Sequence, residues 1–104
     1  MAQKYENELI FCIINSGFAD NVMEAARAAG ASGGTILDAH GTANQIAEKL
    51  HEITIQPEKE IVMIIVPSEI KDKVMTAINN SNNLSSESSG ITFSIPLSHT
   101  IGLK

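Results

Sequence analysis

Two uninterrupted apolar runs constrain the fold of this chain most. They are Leu9-Ile10-Phe11-Cys12-Ile13-Ile14 and Ile61-Val62-Met63-Ile64-Ile65-Val66. Neither alternates apolar with polar residues, and both are rich in β-branched side chains. Runs of this kind read as strands with apolar side chains on both faces of a sheet. They are far too short to span a bilayer.

Each run is followed by a helical pattern. After the break at Asn15-Ser16-Gly17, the spacing of Val22, Ala25, Ala26 and Ala29 predicts a helix from about Asp20, with Asp20 as its cap and Gly30 as its left-handed stop. After Pro67, Ser68 is the expected cap of a second helix whose apolar face is Ile70, Val74, Ala77 and Ile78. Gly33-Gly34 leads into a strand over residues 35–40, and Gly90 into a strand over 90–95 that Pro96 ends; residues 100–103 could add a short edge strand. Residues 79–89 are almost wholly Asn and Ser and read as a polar loop. Residues 42–57 read equally as a short helix or an irregular loop.

The order strand, helix, strand, strand, helix, strand is that of an α+β, ferredoxin-like βαββαβ domain, with one antiparallel sheet and two helices on one face. A single domain over residues 1–104 is expected, with 1–8 a polar N-terminal tail, 41–57 a mobile-loop region and 79–89 a polar loop. The sheet face without helices still carries apolar side chains, and self-association would cover it.

Composition narrows the function. Seven basic residues are spread thinly over a chain of net charge -5. This argues against nucleic acid, whose binding depends on phosphate neutralisation, and against an anionic membrane surface. A lone Cys12 in an apolar run excludes an internal disulfide and suits a reduced, cytoplasmic setting; a buried inert thiol is expected there. Residues 1–8 lack the apolar stretch of a signal peptide, and no direct membrane insertion is expected. His40, His51 and His99 are too scattered for a metal site, and Asp38 and Glu58 make no convincing acid–base pair, so no catalytic residues are assigned. Lys59, in Pro57-Glu58-Lys59-Glu60, reads as a ligand anchor or as one member of a solvated charge cluster. Ser88-Ser89-Gly90 reads as an anion-binding nest of backbone amides or as a plain flexible loop.

The succession from Phe18 to Ala26, from Gly30 to Asp38, from Ile61 to Ala77 and from Gly90 to Leu103 resembles the PII nitrogen-regulatory proteins over most of the chain. That resemblance implies a homotrimer that is a signalling protein and not an enzyme. It implies clefts between subunits for adenine nucleotides (AMP, ADP or ATP) and 2-oxoglutarate. It also implies a loop that docks on a target protein, a membrane transporter among the candidates. By the same resemblance Thr35 contacts the adenine, Gly41 opens the mobile loop, and Gln45 lies at the oxoglutarate position. Lys59 pairs with the effector carboxylate, and Ser88, Ser89 and Gly90 form the phosphate turn. These places would meet only where subunits adjoin.

Three departures bear on the effector. Ile91 stands where the family has a phosphate-loop lysine, and Gly102 and Lys104 stand where it has arginines. The loop is also shorter and has no tyrosine to modify. At most one cation is left for a triphosphate, so an effector less negative than ATP is expected. The alternative expectation is a trimeric protein-interaction module of the same fold without effector binding.

Overall fold

The structure, a computed structural model, describes residues 5–42, 58–82 and 90–103. Among these lie β1 (Asn7–Asn15), α1 (Ala19–Ala28), β2 (Thr35–His40), β3 (Glu58–Pro67), a 3-10 turn (Ser68–Ile70), α2 (Lys71–Asn82) and β4 (Ile91–Leu97). The strands form one sheet in the order β2-β3-β1-β4, with every neighbouring pair antiparallel. This is the expected ferredoxin-like arrangement, in which each helix carries the chain over one neighbour strand before it re-enters the sheet.

The core lies between the sheet and the helices. Ile10, Cys12 and Ile14 of β1 and Val62, Ile64 and Val66 of β3 point one way and are fully buried. Val22, Met23 and Ala26 of α1 and Val74 and Ile78 of α2 close over them. The central strands are thus not buried on both faces within one chain. Their alternate residues share the opposite face, where the register sets Leu9 between Ile65 and Ile95, Phe11 between Met63 and Phe93, and Ile13 between Ile61 and Ile91. That face is apolar and uncovered among the described residues. Phe11 and Phe93 stack on it with ring centroids 5.2 Å apart.

Gly30 ends α1 as expected, at φ +116°. Its N–H donates to the carbonyl of Arg27 at 3.0 Å, and that of Ala31 donates to Ala26 at 3.0 Å, which is the paired closure of a Schellman motif.

Several boundaries differ from the sequence reading. The helix boundary residue is Phe18, with no side-chain cap, and Asp20 lies inside the first turn, where its carboxylate complements the helix dipole. Ser68 does not cap α2. Its hydroxyl donates to the carbonyl of Tyr5 at 2.8 Å, and its N–H to that of Glu6 at 2.9 Å, tying the chain before β1 to the end of β3. Asn7 and Glu8, read as part of the tail, pair with Pro67 and Val66. Residues 79–82, read as polar loop, continue α2, because weak helix formers add little penalty on a helix already anchored by Val74 and Ile78. Pro96 lies within β4, an edge strand, where a missing N–H can face away from the ladder. Residues 100–103 form no strand, and Gly102 at φ +88° turns the backbone out of the extended region.

Candidate functional site

The sheet brings three of the sequence-predicted residues to one end. β2 finishes at His40 and passes into Gly41, β3 starts at Glu58 and Lys59, and β4 starts just after Gly90. Lys59 is in register with Ala39 on one side and Asn15 on the other, while Ile91 faces Ile13. Gly41, Lys59 and Gly90 therefore share an end of the sheet within a single chain, and this does not require adjoining subunits. Thr35 stands apart. It pairs with Met63, four residues along β3 from Lys59, or roughly 13 Å at the rise of an extended strand. Gln45, Ser88 and Ser89 lie outside the described residues.

A hollow of about 430 Å³ opens at that end, lined by Ser16, Asp38, Ala39, His40, Glu58 and Lys59. The turn after β1 shapes it. The Ser16 N–H donates to the Glu58 carbonyl at 3.2 Å, and the Gly17 N–H donates to Glu60 Oε1 at 2.8 Å. Gly17 adopts φ +103° there, a conformation that glycine reaches without strain. Lys59 Nζ donates to Asn15 Oδ1 at 2.7 Å. The ammonium is thus held by Asn15, and Asp38 and Glu58 are also among the residues that line the hollow. A lining that carries one ammonium and two carboxylates opposes a polyphosphate. Sequence reasoning read Asn15-Ser16-Gly17 only as a strand break. The available signal was its place directly after a central strand, opposite the start of β3.

Thr35 lines a second hollow, of about 460 Å³, with Leu9, Ser32, Gly33, Gly34, Met63, Ile65 and Leu103. It is mainly apolar and opens on the uncovered sheet face. Leu9, Met63 and Ile65 recur there because residues two apart on a strand share a face. Sequence spacing could have grouped these three, but nothing in it signals Leu103.

Cys12 is fully buried in the core, and the Thr92 hydroxyl lies 3.4 Å from its sulfur. Burial pushes the thiol up from its ordinary range, with the Thr92 contact opposing that in part. Because the folded state holds the proton more tightly than the unfolded chain, this contribution to stability is complete below the unfolded thiol pKa and is lost as pH rises through the folded one. Cys12 is accordingly expected to react with a disulfide reagent at neutral pH only as fast as the protein unfolds. A stoichiometric burst of thiol release from the native protein would contradict this placement.

Among the described residues no group of three or more His, Cys, Asp or Glu could hold a metal ion. No helix among them is long and apolar enough to cross a membrane.

The family model described as nitrogen regulatory protein P-II matches residues 7–104. No curated protein matches the chain. Solved structures do. The B. subtilis GlnK-ATP complex is 18% identical and superposes at TM-score 0.75, covering 96% of this chain and 89% of the other. Arabidopsis thaliana PII bound to citrate is 18% identical, at TM-score 0.71, covering 90% of this chain and 79% of the other. A DUF3240 family protein from Shewanella baltica is 13% identical, at TM-score 0.69, covering 100% of both chains. Likeness at these identities shows a shared fold.

Proposed function

The chain belongs to the nitrogen regulatory protein P-II family, and from that premise we propose that it is a homotrimeric regulator that senses a small anionic effector and thereby controls a partner protein. The family is one of regulatory proteins. The observation that carries the proposal is the uncovered sheet face. Leu9, Phe11, Ile13, Met63 and Ile65 form a continuous apolar surface left largely open by the described residues, and two further copies would remove most of it from water.

The effector is an adenine nucleotide of low charge, AMP or ADP, or a carboxylate such as 2-oxoglutarate. Solved relatives in complex with ATP and with citrate support both classes. The charges of this chain favour the less negative members. Ile91, which is 64% exposed, occupies the place of the phosphate-loop lysine and offers no charge. Lys59 is the residue assigned to an effector carboxylate, and its contact with Asn15 holds it ready for one. Lys59→Ala is expected to weaken a carboxylate ligand by roughly 1.5–3 kcal/mol, the loss of one charge-assisted hydrogen bond. Titration calorimetry with 2-oxoglutarate and citrate measures it, and an unchanged affinity would move the carboxylate elsewhere.

The response runs by differential binding. An effector that prefers one state of the protein shifts the population towards it and so sets affinity for the partner, a membrane transporter among the candidates. The second reading, an interaction module without an effector, is favoured by the same exposed Ile91. A thermal-shift screen of AMP, ADP, ATP, 2-oxoglutarate and citrate separates the two. A ligand at a hundred times its dissociation constant adds about 2.7 kcal/mol of stability, whereas a flat screen supports the interaction module.

A further inference from the structure

After β4 the chain does not leave the domain. Leu97 ends β4 opposite Asn7, on the far side of β1 from β3. Six residues later Leu103 lines the hollow beside Thr35, together with Leu9, Met63 and Ile65. It also lines an adjoining hollow of about 420 Å³, with Gly30, Ala31, Ser32 and Pro67. The segment therefore crosses the end of the sheet from the β4 side to the loop that enters β2. Gly102 makes the approach possible. Its φ of +88° is a left-handed conformation in which other residues are strained, and it gives two successive apolar side chains different surroundings. Ile101 is 89% exposed, while Leu103 is 47% exposed.

We propose that this segment is an internal competitor for the hollow: Leu103 occupies part of it, and a ligand that contacts Thr35 must first displace Leu103. The proposal rests on the effector reading above, since it assumes that a ligand enters beside Thr35. Its physical basis is independent of that reading. An apolar side chain seated on apolar neighbours gains free energy from leaving water, and a ligand taking its place binds more weakly by the factor that this seating represents. Part-burial of one leucine corresponds to a factor of about five. The arrangement would set a threshold on ligand concentration, and anything that draws Ile101 and Leu103 onto another surface would lower that threshold.

Three measurements on the full chain test the proposal. In the wild-type protein, Leu103 methyl protons are expected to show NOEs to Met63 and Leu9; their absence overturns the seating. AMP is expected to bind Leu103→Ser about fivefold tighter than wild type by titration calorimetry, and Gly102→Ala is expected to tighten it in the same direction. Equal AMP affinity in all three proteins overturns the competition and leaves the effector reading standing. AMP bound by none of them removes the effector reading for this nucleotide. In that case the fluorescence of an anilinonaphthalene sulfonate dye decides whether the hollow opens. A rise in Leu103→Ser supports occupation by the segment, and no rise overturns it. The substitutions lie outside the strands and helices, so loss of the fold does not confuse the readout.

Discussion

Phe11→Asp is expected to convert the proposed trimer into monomers. Phe11 lies midway along β1 on the uncovered sheet face, in register with Met63 and Phe93 and stacked on the Phe93 ring. In a trimer that closes over this face, each copy would bury an aspartate among apolar side chains. A buried carboxylate without a partner costs several kcal/mol, and three related by symmetry also repel one another. The side chains that hold a single chain together, Ile10, Cys12, Ile14, Val62 and Ile64, point the other way and are untouched. The variant should therefore keep its far-ultraviolet circular dichroism while its light-scattering mass falls to one third of the wild-type value at micromolar concentration. A wild-type protein that already runs as a monomer, or a variant that remains trimeric, would remove the sheet face from the assembly.

The same residues show where sequence reading reaches its limit. Leu9 to Ile14 declared themselves as a central strand by apolarity alone, yet the division between Ile10, Cys12, Ile14 and Leu9, Phe11, Ile13 is a property of register with β3 and β4. Composition cannot supply it, because both sets are equally apolar. Gly30 was legible because one conformation explains it. Ser68 was not, since a hydroxyl at a helix start caps in most contexts, and only the return of Tyr5 to the same place gives it another acceptor.

The candidate site divides along the same line. Gly41, Lys59 and Gly90 could be grouped once the strand order was known, because all three sit at strand boundaries. Asn15 and Ser16 were hidden because their part depends on hydrogen bonds to β3, from residues more than forty positions away. Leu103 was hidden because its place depends on the path of an irregular segment, which carries no periodicity. Thr35 was identified by resemblance, and its distance from Lys59 became visible only with the pairing of Thr35 to Met63.

Gly34→Val is expected to be the most damaging single substitution at the site, although local propensity argues for the opposite. A β-branched residue just before a strand normally favours it, and removing a glycine lowers the entropy of the unfolded chain. Packing decides otherwise. A Cβ on Gly34 would lie 2.8 Å from the carbonyl oxygen of Met63, 3.0 Å from Ile64 Cγ1 and 3.0 Å from Met23 Sδ. The first of these is backbone in a central strand. It cannot give way without disturbing the β3 ladder, and Ile64 is fully buried in the core. Overpacking of this kind costs roughly 1–3 kcal/mol, and the two γ-methyls of valine place the change at the upper end, about 3 kcal/mol. For a domain of this size that lowers Tm by on the order of 10–20 °C. Gly33→Val is the control. A Cβ there meets nothing within 4 Å, so its effect should stay within about 0.5 kcal/mol. Urea unfolding of the two variants separates the explanations. A large loss at Gly34 with little change at Gly33 locates the cost in the approach of the loop to Met63. Equal effects at both positions would instead assign it to the backbone entropy of the loop, and Thr35 would then not be held by close packing at this point of the sheet.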